Sequence, residues 1–236
     1  MKRILITGAN RGVGLELARQ CIARGDRVFA GSRSPEKADA LQQIAAEYPG
    51  QLTILPLEVT DEASIAESAA LVTAEVAALD ILFNNAAANF GDESSLSAVK
   101  AETLLKATHI NAVGAVLVAQ GFINLLQKGT DPKLVNVSSE AGSITGMNHF
   151  RGYHYYGSKA AMNMYTRALA WDPETEGITV IAIHPGWVRT DMGGPNAHLS
   201  TEQSAAGLLK VTDGLTPADN AKFYTWQGSE LPWYCL

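Results

Sequence analysis

The sequence of 236 residues predicts an α/β protein with a doubly wound, seven-stranded parallel sheet and helices on both faces. Two observations predict this class. Seven short apolar runs rich in β-branched residues recur along the chain, and most are continuous rather than alternating, as strands buried on both faces are. Segments with a helical period separate these runs, as in repeated βαβ units. A single domain over 1–236 is expected for this length.

The predicted strands are spread over the whole chain, and several end in glycine or serine. They cover residues 2–8, 26–32, 51–58, 79–86, 132–139, 178–186 and 221–228. The helices predicted between them cover residues 13–24, 35–48, 61–79, 103–127 and 157–171. Pro35 suits a first helical turn, and Thr60 is placed as an N-cap. In such sheets ligands bind beyond the carboxyl ends of the strands, so functional residues are expected at the strand tails.

Charge and composition exclude several classes of partner. The formal net charge of -6 gives no electrostatic footprint for a polyanion, so we expect neither nucleic acid nor an acidic membrane surface as a partner. Cys21 and Cys235 are too few for a disulfide framework or a thiolate metal site, which fits a cytoplasmic protein without a metal. The first residues lack the apolar core of a signal peptide, and no segment is expected to be long enough to span a membrane.

The tail of the first predicted strand is the glycine-rich stretch "TGANRGVG". Gly8, Gly12 and Gly14 allow a sharp turn and a close approach to a pyrophosphate, and the following helix offers free N–H groups. The spacing is G-x-x-x-G-x-G and not the G-x-G-x-x-G fingerprint. A glycine turn without a ligand is the alternative, but the position after the first strand of a βαβ unit favours a phosphate loop.

Two arginines predict the type of dinucleotide. No acidic residue follows the second strand where one would bind a ribose 2′-hydroxyl; Arg33 stands there instead, and Arg11 lies within the glycine loop. Two guanidinium groups suit a 2′-phosphate, so NADP(H) is favoured over NAD. Taken separately, each arginine has a serious alternative explanation as a solvated surface residue.

The stretch "YYGSK" places Tyr155 four residues before Lys159, one turn apart on a helix. The pattern is weak by itself, and a chance pair on a helix surface is the alternative. Other motifs accompany it in order along the chain, namely "TGANRGVG", "NNAA", Asn111, "VNVSS" and "HPGWVRTDM".

With this ordered set the sequence resembles the short-chain dehydrogenase/reductase family over nearly the whole chain. The stretches "HPGWVRTDMGGPNAHLS" and "FYTWQGSELPW" are similar to the C-factor and sniffer subgroup of carbonyl reductase-like members. The resemblance implies a Rossmann-type, NAD(P)-binding domain and an NADPH-dependent oxidoreductase. Members of the family commonly bury two such helices, here 103–127 and 157–171, against a second subunit, so the resemblance favours a homodimer, with a monomer as the alternative.

The resemblance implies a role for each catalytic residue. Ser139 would hydrogen-bond the substrate carbonyl, and Tyr155 would be the general acid. Lys159 would hold the nicotinamide ribose and lower the pKa of Tyr155, while Asn111 would bind a water that relays protons to Lys159. A free tyrosine has a pKa of about 10, so a nearby positive charge would be needed to stabilise its phenolate. Two O–H donors would also stabilise the alkoxide that forms on hydride transfer.

The resemblance further implies a cofactor site drawn from several strand tails. Its expected members are Gly8, Asn10, Arg11, Gly12, Val13, Gly14, Arg33, Glu58, Val59, Asn85, Ala86, Ala87, Tyr155, Lys159, Pro185, Gly186, Val188 and Thr190. Two of them depart from the family pattern: Ala87 replaces a common glycine, and Glu58 replaces a usual aspartate. These departures keep open an alternative, a non-catalytic NADP-binding regulatory or signalling protein.

A substrate pocket is expected between Ser139 and Tyr155 and in a substrate loop at about 187–200. Apolar and aromatic walls there would suit a hydrophobic aldehyde, ketone or quinone. The candidate wall residues are His149, Phe150, His154, Trp187 and Met192.

Overall fold

A computed structural model describes residues 1–91, 95–147, 150 and 152–233. Within these residues the chain forms one seven-stranded sheet in the order β3-β2-β1-β4-β5-β6-β7, and every adjacent pair is parallel. The predicted fold class is confirmed. The strands are β1 Arg3–Ile6, β2 Arg27–Ser32, β3 Leu52–Pro56, β4 Ile81–Asn84, β5 Lys133–Val137, β6 Thr179–His184 and β7 Phe223–Thr225.

The α-helices connect the strands on both faces of the sheet. They are α1 Gly12–Ala23, α2 Asp39–Glu47, α3 Glu62–Glu75, α4 Ala101–Thr108, α5 Gly114–Leu126, α6 Tyr153–Ala170 and α7 Thr201–Gly214. A π-helical turn, His109–Val113, joins α4 to α5 within the helix predicted over 103–127. Helix α7 was missed by the sequence analysis, although Ser200 and Gln203 form a capping box at its start.

Burial on both faces explains the continuous apolar strands. In β1, Ile4 and Ile6 pack into the core layer that contains α1 and α7, and Leu5 packs into the opposite layer beneath α3 and α5. All three residues are fully buried. Successive side chains of a strand point to opposite faces, so a strand between two helical layers has no polar face to present.

The helical run Ala101–Leu126 corrects one expectation from the sequence. By length and composition alone its 26 residues could cross a membrane. Half of its most apolar window is buried within the protein, where residues such as Val118 and Phe122 pack against the sheet. Its apolar character is therefore explained by its place in the core.

The sheet order reverses direction between β1 and β4, which are neighbours although β2 and β3 lie between them in sequence. A crevice opens at such a switch point beyond the carboxyl ends of the strands. The loops that follow β1, β4, β5 and β6 therefore meet at one edge of the sheet, and they carry most of the predicted site residues.

Candidate active site

The strand tails line a cleft with a volume of about 1330 Å³. This exceeds the roughly 300–1,000 Å³ of a pocket for one drug-sized ligand, so there is room for a dinucleotide and a small second molecule. The predicted residues that line it are Gly8, Asn10, Arg11, Gly12, Val13, Arg33, Glu58, Val59, Asn85, Ala86, Ala87, Ser139, Tyr155, Lys159, Pro185, Gly186, Trp187, Val188, Thr190 and Met192. Gly14, Asn111, Phe150 and His154 are not among the described residues of its wall.

Ser139, Tyr155 and Lys159 converge at one end of the cleft, called here the catalytic end. Helix α6 begins at Tyr153, earlier than the predicted position 157, so Tyr155 and Lys159 both lie within it, one turn apart. Lys159 is 2% exposed, and its Nζ donates a hydrogen bond of 2.9 Å to the carbonyl of Val137 in β5. Ser139 follows β5 and contacts Tyr155 through a side-chain hydrogen bond. Strand β5 therefore positions two of the three groups.

Burial sets the direction of the pKa shifts at Tyr155 and Lys159. Burial raises the pKa of Tyr155, the hydrogen bond with Ser139 lowers it, and Tyr156 raises it further. Burial also lowers the pKa of Lys159 to about 8. The net shift at Tyr155 is upward because desolvation of the phenolate outweighs the other contributions. The lowering of this pKa by Lys159, expected from the sequence, stays a prediction, and at neutral pH the Tyr155 phenol is protonated.

Asn111 supports the catalytic end from inside the protein. It is fully buried in the π-helical turn between α4 and α5. Its Nδ2 donates to the carbonyl of Ala88 at 2.8 Å and to Oγ of Ser158 at 3.0 Å, and its Oδ1 accepts from the Ala88 N–H at 2.7 Å. Ser158 in turn donates to the carbonyl of Tyr155 at 2.9 Å. Asn111 thus ties the tail of β4 to the first turn of α6; the water site expected there stays a prediction.

The glycine loop after β1 is fastened to the tail of β4. Asn85 Nδ2 donates to the carbonyls of Thr7 and Gly8 at 3.0 and 3.1 Å. Gly8 has a φ of +63°, and a Cβ there would lie 2.8 Å from Cα of Ala86. At Gly14 a Cβ would lie 2.4 Å from Nδ2 of Asn85. Glycine is therefore required at both positions, because the loop packs directly on its neighbour.

The same fastening includes a residue that sequence reasoning missed. Oγ1 of Thr7 accepts hydrogen bonds of 3.0 Å from the N–H groups of Asn85 and Ala86. Thr7 lies near the end of the first predicted strand. Its position directly before the glycine loop is the sequence feature that could have identified it.

The start of α1 faces the cleft with unused donors. Among the described residues, no side chain caps this helix and no acidic residue lies in its first turn. The first N–H groups of a helix have no partner within the helix, and with the helix dipole they attract anions. A phosphate group fits this end of the cleft, called here the phosphate end.

Arg11 and Arg33 lie at the mouth of the phosphate end, each next to a carboxylate. Nη1 of Arg11 is 2.5 Å from Oδ2 of Asp191, and Nε of Arg33 is 3.8 Å from Oε2 of Glu58. Glu58 is also held by Thr60, whose N–H and hydroxyl donate to its Oε1 at 3.1 and 2.9 Å. The longer acidic side chain that departs from the family pattern is therefore well anchored.

The expected substrate wall is formed only in part by the predicted residues. Trp187 and Met192 line the cleft, and Trp187 Nε1 donates to the carbonyl of Gly193 at 2.7 Å. His154 is corrected: it is buried behind the wall, where its Nε2 lies 2.7 Å from Oδ1 of Asn89. His154 lies on the side of α6 that packs into the protein, whereas Tyr155 and Tyr156 of the same helix line the cleft.

Phe150 is also corrected, and His149 lies outside the described residues. The Phe150 ring packs on Tyr153, with ring centroids 5.0 Å apart, and does not line the cleft. Tyr153 is exposed and does not line the cleft, so this ring contact lies outside it.

Several wall residues were not predicted. His184 at the end of β6 lines the cleft, with Nε2 3.9 Å from Oε2 of Glu140. Burial lowers the pKa of His184, Glu140 raises it and Lys159 lowers it. Leu231 and Pro232 reach the cleft from beyond β7, where the carbonyl of Pro232 accepts a 3.1 Å hydrogen bond from Ser143. No local pattern in the sequence signals this last contact, since it joins distant segments.

Comparison with known proteins gives likenesses along nearly the whole chain. A sequence model of short chain dehydrogenases matches residues 2–199. The C-signal protein of Myxococcus xanthus is 37% identical over 155 residues, which are 66% of this chain and 93% of that protein. NADPH-bound carbonyl reductase from chicken fatty liver is 33% identical, with a TM-score of 0.89 over 99% of each chain. Carbonyl reductase Sniffer of D. melanogaster is 29% identical, with a TM-score of 0.93 over 99% of this chain and 100% of that chain.

Proposed function

Because the chain belongs to the short-chain dehydrogenase family, we propose that it reduces the carbonyl group of an aldehyde, ketone or quinone with NADPH. The observation that carries this proposal is the convergence of Ser139, Tyr155 and Lys159 at the end of a cleft whose other end suits a phosphate. The likeness to NADPH-bound carbonyl reductase supports the choice of cofactor and reaction.

Bound NADPH would supply the hydride, and the chain's own residues would supply position and a proton. The uncapped start of α1 would hold the diphosphate, and Arg11 and Arg33 would bind the 2′-phosphate. Lys159 would hold the nicotinamide ribose, since its Nζ is already fixed by the Val137 carbonyl beside the cleft. Thr190 and Val188 also line the cleft.

The catalytic roles follow from the protonation states. Tyr155 retains its proton at neutral pH because burial raises its pKa, and it would donate that proton to the oxygen of the reduced carbonyl. Ser139 would donate a second hydrogen bond to the same oxygen, which stabilises the developing negative charge. Lys159, with a pKa of about 8, is mostly charged at neutral pH and would stabilise the phenolate that remains.

The walls at the catalytic end indicate the class of substrate. Trp187, Met192 and Leu231 are apolar or aromatic and line the same cleft as the trio. A hydrophobic carbonyl compound would bury its apolar surface against them and point its oxygen at the O–H donors. The substrate loop at about 187–200 would form part of this wall.

A screen of aldehydes, ketones and quinones tests the proposal. NADPH absorbance would be followed for the purified protein with each compound, and NADH would be used in parallel. We expect consumption of NADPH with at least one hydrophobic carbonyl and slower consumption of NADH. Binding of NADPH without turnover over the whole panel would overturn the proposal.

That outcome would support a second candidate, a non-catalytic NADP-binding signalling protein. The likeness to the C-signal protein, at 37% identity, favours it as the alternative. The intact trio favours catalysis, because a purely binding protein has no need of a protonated tyrosine beside a buried lysine.

We also propose that the chain forms one domain that assembles as a homodimer. Large apolar side chains are exposed on α4 and α6, namely Leu105, Met164 and Tyr165, with Trp171 directly after α6. Burial of this surface against a second copy would explain its composition. Light scattering during size-exclusion chromatography tests this, and a monomer at micromolar concentration would contradict it.

A further inference from the structure

The glycine loop and the substrate loop contact each other across the mouth of the phosphate end. Arg11 and Asp191 form an ion pair of 2.5 Å, with side chains that are 68% and 77% exposed. Beside this pair, a Cβ on Gly12 would lie 3.3 Å from Cγ2 of Thr190. One predicted phosphate ligand is therefore already engaged by a carboxylate from the opposite wall.

Asp191 is held in place by its own turn. The N–H of Gly194 donates to the carbonyl of Thr190 at 2.9 Å, and the N–H of Gly193 donates to Oγ1 of Thr190 at 3.1 Å. The Gly193 carbonyl accepts from Trp187. These bonds fix the backbone on both sides of Asp191, so its carboxylate is presented to Arg11 by an ordered turn.

The charges at this mouth are balanced in pairs. Arg11 faces Asp191, and Arg33 faces Glu58. A phosphate that binds Arg11 would lie on the same guanidinium as the Asp191 carboxylate, and two anions at that distance repel each other. A phosphate offers more acceptor oxygens and more charge than a carboxylate, and exposed carboxylate pairs are weak, so the phosphate would displace Asp191.

We propose that Asp191 determines cofactor selectivity by competing with the 2′-phosphate of NADPH for Arg11. The inference rests on the proposed function, because it assumes that Arg11 binds that phosphate. Asp191 then lowers the affinity for NADPH and leaves the affinity for NADH, which has no 2′-phosphate, nearly unchanged. It is a specificity residue and takes no part in hydride or proton transfer.

Titration of the intact protein with NADPH and with NADH, followed by cofactor fluorescence, tests the proposal. Asp191→Asn should lower the Kd for NADPH by about two- to fivefold, the range expected for an exposed ion pair. The Kd for NADH should change by less than that. Glu67→Gln is the matched control: it removes one negative charge from the exposed face of α3, away from the cleft, and should change neither value.

A double variant tests whether the effect of Asp191 depends on Arg11. In an Arg11→Gln protein, Asp191→Asn should no longer tighten NADPH binding, because the contested guanidinium is absent. Weaker NADPH binding by Asp191→Asn, or an equal change for both dinucleotides, would overturn the inference while leaving the proposed function intact. Failure of the wild-type protein to bind either dinucleotide would overturn the proposed function and the inference with it.

Discussion

At the catalytic end of the cleft, Ser139 and Lys159 are 7% and 2% exposed, whereas the side chains of Arg11 and Arg33 at the phosphate end are 68% and 71% exposed. Lys159 donates to the Val137 carbonyl of β5 and Ser139 accepts from the Ala141 N–H, whereas the exposed arginines pair with carboxylates. Under the proposed function, the chemistry would depend on groups built into the core of the fold, and cofactor selectivity would depend on surface charges that substitutions can adjust.

Among the predictions that test this contrast between the two ends of the cleft, Lys159→Met should have the largest effect on turnover. It keeps a side chain of similar length but removes the charge beside Tyr155, so kcat should fall by about 10²-fold or more. NADPH-dependent reduction measured at saturating cofactor checks this. Lys210→Met on the exposed face of α7 is the control and should retain wild-type turnover. Similar kcat values for the two variants would show that the buried lysine is dispensable.

The pH dependence of the reduction rate also tests the burial of Lys159, and we expect a smaller effect than that of the substitution. Because burial lowers the pKa of Lys159 to about 8, the ammonium is present below that pH and is lost as the pH rises through it. The reduction rate should therefore decline above pH 8, by up to about tenfold per pH unit. The decline should be absent from the residual activity of Lys159→Met. A wild-type rate that stays constant to pH 10 contradicts this assignment.

Arg33→Gln gives the smallest expected effect, as an exposed group should. Loss of one charged donor to the 2′-phosphate should raise the Kd for NADPH by about tenfold or less and leave the Kd for NADH unchanged. Parallel titration of both dinucleotides measures the ratio. An equal rise in the Kd values for NADPH and NADH would show that Arg33 does not act on the 2′-phosphate and has a general role in the fold.

The strands and the placement of Tyr155 and Lys159 on one helix could be predicted because their signals are local. Continuous apolar runs report burial on both faces, and the four-residue offset of Tyr155 and Lys159 survives any uncertainty about the helix boundary. The start of α6 was predicted too late because Gly152, its N-cap, offers no side-chain cap and has a φ of 102° that the sequence does not display. Without that boundary, the direction of His154 relative to Tyr155 could not be assigned.

Other parts of the site depend on contacts between distant segments. The ion pair of Arg11 with Asp191 spans 180 residues, and the contact of Ser143 with Pro232 spans 89. Neither has a spacing that a sequence pattern can report. The pKa of Tyr155 depends on how deeply the folded protein buries the phenol, which is again set by the whole fold. Local chemistry was therefore predictable, and its electrostatic surroundings were not.

The most direct test of the central claim compares turnover and cofactor binding in Tyr155→Phe. The variant keeps the ring and removes the proton that the carbonyl oxygen would receive, so kcat should fall by at least about 10²-fold while the Kd for NADPH stays within about twofold of wild type. Tyr48→Phe, directly after α2 and away from the cleft, should behave as wild type in both measurements. Wild-type turnover by Tyr155→Phe would contradict the account.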